Sequence, residues 1–234
     1  MLDESLQSRT LCTFSVLHHL RADWGGALIL SCGLGPQGAA LAIASNIAGA
    51  VSLSIEEDPA LAREALRSGA CDFVVNTLDE ALRAMKNEIR KHLPLSVGLQ
   101  GNTSHILHEL LDRGVAPQLF TNLTQPIAQD LTHRFQSSGA ILIDFDPTHP
   151  SSEALNAVEL LEQITTQHQW HLESFPQTTP STLRAFDAHV LTLIPPADTL
   201  RTLWLHAAPR ILPRESSLHR TLWLTQAEKD QLNA

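Results

Sequence analysis

Basic residues are in short supply: 16 Lys+Arg face 25 Asp+Glu across 234 residues, a formal charge of −9. Such a balance exerts no long-range pull on phosphate backbones, and no basic run interleaved with aromatics occurs, which excludes nucleic acid as a partner. Long hydrophobic runs are also missing; none approaches the roughly 20 residues that cross a bilayer. The opening Met1-Leu2-Asp3-Glu4-Ser5 is acidic and lacks the basic lead of a secretory signal. A cytoplasmic protein without a membrane partner is expected.

Cysteine is scarce, and Cys12, Cys32 and Cys71 form an odd, widely spaced set without a CxxC pair. That excludes a disulfide framework and a thiolate metal site, and it predicts buried free thiols. Cys32 alone has a route to reactivity, because it abuts a glycine-rich turn. A helical HExxH pair, a GxSxG elbow and a Walker A loop are all absent. His105 with His108, and His168 with His171, are each three residues apart, but neither pair has an acidic or thiolate ligand cluster beside it. Solvated or core histidines are expected there, and no metal.

What is present is an ordinary globular balance, with 43% hydrophobic and 18% charged residues. The chain is long enough to bury one large core. The spacing predicts a helix over 6–20, a strand over 27–32, and then alternating helices (39–48, 59–68, 78–91, 104–113) and strands (51–55, 72–75, 95–99, 119–120, 140–145). Strand-helix alternation implies an α/β fold, a Rossmann-like doubly wound parallel sheet with flanking helices. A helix follows over 151–167. Pro176, Pro180, Pro195, Pro196, Pro209 and Pro213 then leave room only for short elements such as 190–194. The predicted organisation is a lead-in over 1–25, a dinucleotide-binding core over 26–150, and a Pro-rich C-terminal appendage over 151–234 that packs on the core.

The chemistry lies in Gly33-Leu34-Gly35-Pro36-Gln37-Gly38-Ala39, which has the G-x-G-x-x-G/A form directly after a strand and before a helix. Gly33 permits a tight turn, Gly35 lets the backbone approach a pyrophosphate, and Gly38 lets the helix pack against the strand. Pro36 is compatible with the first helical turn, where its missing N–H has no intrahelical partner. Helix-start amides and dipole favour phosphates. Glu56 ends the second strand about 20 residues on, where it would accept from adenosine ribose hydroxyls and repel a 2′-phosphate, so NAD rather than NADP is expected. The opposing reading is a glycine turn that serves packing alone. Asp144 and Asp146, at a later strand end, read as surface carboxylates.

The segment 26–40, with Ala48-Gly49-Ala50 and Ile55-Glu56, resembles the NAD-binding core of urocanase (urocanate hydratase). So do Ser96-Val97-Gly98-Leu99-Gln100-Gly101-Asn102 and Glu109-Leu110-Leu111-Asp112-Arg113-Gly114-Val115-Ala116-Pro117. Ser138-Gly139-Ala140 running to Asp144-Phe145 is similar to the family's Gly-Ala-hydrophobic-Phe-Asp-Tyr segment. Leu212-Pro213 and Leu218-His219-Arg220 look like its Phe-Pro and Leu-His-Arg. In that family NAD acts as an electrophile toward urocanate, and water is added without net redox change. The resemblance implies cofactor contacts from Pro36, Gln37, Gly38, Glu56, Asn102, Thr103 and Thr124.

The sequence departs from the family where Pro36-Gln37 replaces Gly-Met, where Leu61 replaces a cofactor-binding Arg, and where Asn122-Leu123-Thr124-Gln125-Pro126-Ile127 replaces Asp-Gln-Thr-Ser-Ala-His. The family's late Gly-Leu-Pro-Ala-Arg-Ile-Cys motif, which supplies the active-site cysteine, has no counterpart at Cys12, Cys32 or Cys71. Three functions follow in order. The first is a stand-alone urocanase-like NAD-binding domain, linked to urocanate hydration and histidine degradation through a partner chain. The second is a catalytically inactive NAD-binding or regulatory module. The third is an autonomous NAD-dependent oxidoreductase using His105 or Asp144. A homodimer is compatible with each.

Overall fold

The computed structural model describes residues 5–124, 128–145, 153–211 and 218–233. The chain forms α1 (Leu6–Leu20), β1 (Leu28–Cys32), α2 (Pro36–Ile47), β2 (Val51–Glu56), α3 (Pro59–Ser68), β3 (Phe73–Val75) and α4 (Leu78–Lys91). It continues through β4 (Leu95–Gln100), α5 (Thr103–Asp112), β5 (Leu119–Asn122), α6 (Gln129–Ser137), β6 (Ile141–Asp144), β7 (Leu155–Asn156) and α7 (Ala157–His168). The last part holds β8 (His171–Pro176), α8 (Pro180–Leu193), α9 (Thr199–Ile211), β9 (His219–Leu224) and α10 (Gln226–Leu232).

Seven strands lie in the order β3-β4-β2-β1-β5-β6-β7, and every neighbouring pair is parallel. The chain moves outward from β1 through β2 to the edge strand β3, inserts β4 between β3 and β2, and then crosses to the opposite side of β1 at β5. Connections therefore diverge at β1/β5, the switch point where open α/β sheets place their ligands. This is the expected Rossmann-like architecture.

Residues alternate between the two faces of each strand. Leu28, Leu30, Cys32, Val51, Leu53 and Ile55 share one buried cluster with Leu78 and Met85 of α4, Ile106 and Leu110 of α5, and Leu131 and Phe135 of α6. The opposite face carries Ser31, Ser52, Ser54 and Ser96, all buried, beneath an α2 rich in alanine. Small side chains on both surfaces let α2 sit close to the sheet. Ser31 donates to Ser54 at 2.9 Å and Asn46 of α2 donates to Ser96 at 3.1 Å, which pairs those buried hydroxyls, whereas the Ser52 hydroxyl has no hydrogen-bond partner among the described residues.

The structure differs from expectation in two places. No helix is predicted between Phe120 and Ala140, yet α6 stands there, held by buried Leu131 and Phe135, with Phe135 stacked on Phe120 at 4.9 Å. Two anchors in nine residues make a weak periodic signal. The Pro-rich part also holds two full helices rather than short elements. Pro180 opens α8 in its first turn, where proline is tolerated; Pro195 and Pro196 fall between α8 and α9; among the described prolines of this part only Pro209 lies in a helix interior; and Pro213 lies outside the described residues. The predicted helix over 151–167 starts outside the described residues and is α7 from Ala157 onward.

β8 and β9 pair antiparallel from His171↔Leu224 to Pro176↔His219, and this ribbon closes over α1. Gln7 of α1 accepts from Thr221 N at 2.7 Å and donates to His219 O at 3.1 Å, while Trp223 donates its indole N–H to Ser15 at 2.9 Å. Leu11, Phe14, Leu17, Trp24, Trp204 and Leu222 share one buried cluster. The lead-in helix and the C-terminal part therefore belong to the same core that supports one face of the sheet.

Candidate functional site

The glycine turn joins β1 to α2 at the switch point. Gly33 has φ +102°, a left-handed conformation that favours glycine, and its N–H donates to Ile55 O at 2.7 Å. A Cβ on Gly38 would stand 2.1 Å from Gly33 O, so only glycine lets the first turn of α2 lie against the end of β1. Gly35 is different. A Cβ there would meet nothing within 4 Å, and its φ of −60° suits any residue. Packing does not require glycine at 35; its missing side chain leaves open space beside the start of α2. Pro36 occupies the first helical position, and no side chain caps the helix. The turn thus combines a fixed backbone, a clear approach and an uncapped helix start, which together suit a phosphate group.

Glu56, expected at the ribose, is turned toward this loop. One carboxylate oxygen accepts from Leu34 N at 2.6 Å and the other from Asp58 N at 2.8 Å, with the residue only 5% exposed. Charged acceptors form the stronger class of hydrogen bonds, so Glu56 ties the end of β2 to the glycine turn. Gln37 also has a structural partner, donating its amide to Thr13 of α1 at 2.9 Å.

Asn102 caps α5 by accepting from His105 N at 2.9 Å. Its amide nitrogen reaches Glu57 at 3.4 Å, and Thr103 N donates to the same Glu57 oxygen at 2.7 Å. Thr124 follows β5, its N and hydroxyl both directed at Asn122 Oδ1, at 3.3 and 3.0 Å. Its methyl group would lie 2.6 Å from a Cβ on Gly33. The ends of β1, β2, β4 and β5 therefore bring Gly33, Gly35, Pro36, Gln37, Gly38, Glu56, Asn102, Thr103 and Thr124 to one rim. The residues so assembled include no lysine or arginine, and an anion held there would rest on backbone amides. Glu57 is the functional candidate that sequence reasoning passed over; the signal was the run Glu56-Glu57-Asp58 at a strand end.

Other candidates stand apart. Burial pushes the Cys32 thiol well up, and the nearby Glu57 charge adds to it; burial takes Cys12 and Cys71 up to about 12. None is a thiolate nucleophile at neutral pH. His105 is exposed, His108 contacts Ser104 O at 2.8 Å, and His168 stacks on Trp170 at 4.3 Å. Among the described residues no three His, Cys, Asp or Glu side chains gather into a metal-holding group. Asp144 ends β6, which lies beside β5, and Asp146 lies outside the described residues.

Comparison with known families adds an independent finding: residues 8–133 match the model of the urocanase Rossmann-like domain. The match takes in α1 from Ser8 onward, the glycine turn, the strand ends around it and all nine site residues. Covering more than half of the 234 residues, it shows that this chain belongs to the urocanase family.

Proposed function

We propose that the chain binds NAD at the glycine turn, as the cofactor-holding half of a urocanase-type site. The observation that carries this is the contrast within the turn: Gly33 and Gly38 are demanded by the fold, whereas Gly35 opens onto space beside an uncapped helix start. That is the shape a pyrophosphate needs. Family membership supports the same cofactor, because the urocanase Rossmann-like domain uses NAD.

In this reading the backbone amides of Gly35, Gln37 and Gly38 hold the pyrophosphate, while Gly33 makes the turn and Pro36, which has no N–H, fixes the first helical residue. Asn102, Thr103 and Thr124 flank the dinucleotide, and Glu56 keeps the turn in place. When bound, NAD supplies an electrophilic nicotinamide ring for hydration of urocanate or a related small molecule. This chain orients the cofactor and excludes water from its buried side, and a partner chain supplies the remaining substrate contacts. No helix of the described residues is long and apolar enough to cross a membrane, which agrees with work in the cytoplasm; neither a membrane nor nucleic acid is invoked.

A second reading, an inactive NAD-binding or regulatory module, draws on Gln37 being tied to Thr13 and on the half-exposed Leu61. Calorimetric titration with NAD tests the shared premise, and saturable binding by the isolated chain is the expected outcome. No heat at saturating NAD would remove both readings. Urocanate hydration measured with and without NAD separates them, since turnover by any mixture containing this chain excludes the inactive module.

A further inference from the structure

We propose that the C-terminal part carries a second small-molecule site, a pocket at the end of α7 that takes a neutral polyol of the sugar class. A cavity of about 430 Å³ is lined there by Thr165, Thr166, Gln169, Trp170, His171 and Gln226, which come from the last turn of α7, the start of β8 and the start of α10. All of them lie beyond residues 8–133, the segment that matches the family's domain model, and none belongs to the glycine turn. The indole of Trp170 carries the assignment. Trp24, Trp204 and Trp223 each donate their indole N–H to an internal acceptor, at 2.9, 2.8 and 2.9 Å. Trp170 is only 7% exposed, yet its indole N–H has no hydrogen-bond partner among the described residues. Nearly all buried donors are paired, and for this one the partner has to come from the cavity that Trp170 lines.

The ring is held in place. His168 stacks on it at 4.3 Å and the Arg201 guanidinium lies 5.0 Å from its centre, so its edge, with the N–H, is what a ligand can meet. The surrounding side chains add donors and acceptors without formal charge. The Gln169 amide and the Thr166 hydroxyl make no side-chain hydrogen bond among the described residues. The Thr165 hydroxyl donates to Glu162 O at 3.2 Å and keeps its lone pairs, while Gln226 directs its amide nitrogen at Asp230, at 2.8 Å, and keeps its carbonyl oxygen. Gln169 stands at φ +54°, a left-handed position that favours glycine, and supplies an amide where glycine would supply nothing. No lysine, arginine or carboxylate is among the lining residues, so a charged ligand would lack a counter-ion, and the C-terminal end of a helix disfavours an anion. Hydroxyl groups, each of which both donates and accepts, match this lining.

The test follows the indole N–H signals of the full chain by heteronuclear NMR during titration with myo-inositol or D-glucose, with Trp170→Phe assigning the Trp170 signal. Inorganic phosphate and ethanolammonium serve as charged counterparts. The Trp170 signal should move saturably with a neutral polyol while the indoles of Trp24, Trp204 and Trp223 stay in place, and neither ion should reproduce the shift. Calorimetry with the same polyol should show affinity falling up to about tenfold in Gln169→Gly and in Thr166→Val, the scale of one hydrogen bond, and binding lost in Trp170→Phe. Gln169→Gly removes the amide while relieving the left-handed backbone, and Thr166→Val changes an exposed residue, so both should melt no lower than about the wild-type temperature and keep the test valid if Trp170→Phe unfolds. No saturable Trp170 shift with either polyol, an equal shift with phosphate or ethanolammonium, or wild-type affinity in both Gln169→Gly and Thr166→Val overturns the assignment.

Discussion

The carboxylate of Glu56 accepts the backbone N–H of Leu34 at 2.6 Å across the top of the sheet, fixing the middle of the glycine turn to the end of the neighbouring strand. With Asp58 N on its other oxygen, Glu56 is a buried anion whose partners are both main-chain donors. Glu56→Gln replaces one acceptor oxygen by an NH2 group that faces a donor. Leaving one buried N–H unsatisfied should cost about 1–3 kcal/mol. Urea denaturation followed by tryptophan fluorescence measures it; a midpoint equal to wild type would mean that the turn holds itself.

Gly35 and Gly38 are alike in sequence and opposite in structure. Gly38→Ala places a Cβ 2.1 Å from Gly33 O, so α2 must shift and stability should drop by about 3 kcal/mol, at the upper end for overpacking. Gly35→Ala adds a methyl group to open space at an ordinary φ and should leave stability within about 1 kcal/mol, the small penalty for alanine at a helix N-cap. The same Gly35→Ala protein should lose NAD affinity on the order of tenfold, because the methyl group stands where the phosphates approach. Denaturation and titration of both variants check the pair. Undiminished NAD binding by a folded Gly35→Ala chain would place the dinucleotide elsewhere.

How much of this was legible follows from what each feature depends on. β1 is a short apolar run and β2 alternates apolar residues with serine, Gly33 needs its own positive φ, and Gly38 packs against the nearby Gly33 O, so the sheet and the turn can be read locally. The division of labour between Glu56 and Glu57 cannot. It is set by which way β2 presents each residue and by Thr103 N, which lies 46 residues from Glu57 in sequence. The C-terminal part was the least legible. Its prolines read as breaks because proline lacks an N–H, yet Pro180 sits where that N–H is not needed. What organises the region is distant pairing, such as Gln7 with Thr221 across 214 residues.

Arg220 and Asp187 are the most deeply buried ion pair described, bonded through Nε at 2.7 Å and Nη2 at 2.8 Å, with side chains 2% and 6% exposed. Asp187→Ala would leave the guanidinium without its counter-ion inside the protein, a loss of about 3–5 kcal/mol. Replacing both partners, Arg220→Met with Asp187→Leu, removes the unpaired charge and should cost less than the single change. Equilibrium denaturation of the two proteins decides it. A double variant weaker than Asp187→Ala would show that the pair is needed for more than mutual neutralisation.

Arg201 ties α9 to the C-terminal helix, donating to Glu228 at 2.7 and 3.0 Å and to Asp198 at 2.6 Å, with its guanidinium 5.0 Å from the centre of the Trp170 ring. Burial by itself would raise the Glu228 carboxyl, but the Arg201 hydrogen bonds, the Thr225 amide and the Arg201 charge outweigh it and hold Glu228 below the ordinary value of 4.5. A carboxylate depressed in the folded state contributes stability that is fully present above its unfolded value and disappears as pH falls through the folded one. Stability should therefore decline below about pH 4.5 through this group, whereas Arg201, raised rather than lowered, does not titrate there. Urea midpoints measured from neutral pH down into the acid range should show a slope that Glu228→Gln reduces. Parallel acid limbs in wild type and variant would place the acid sensitivity at other carboxylates, because the only change between the two proteins is the group that Arg201 keeps ionised.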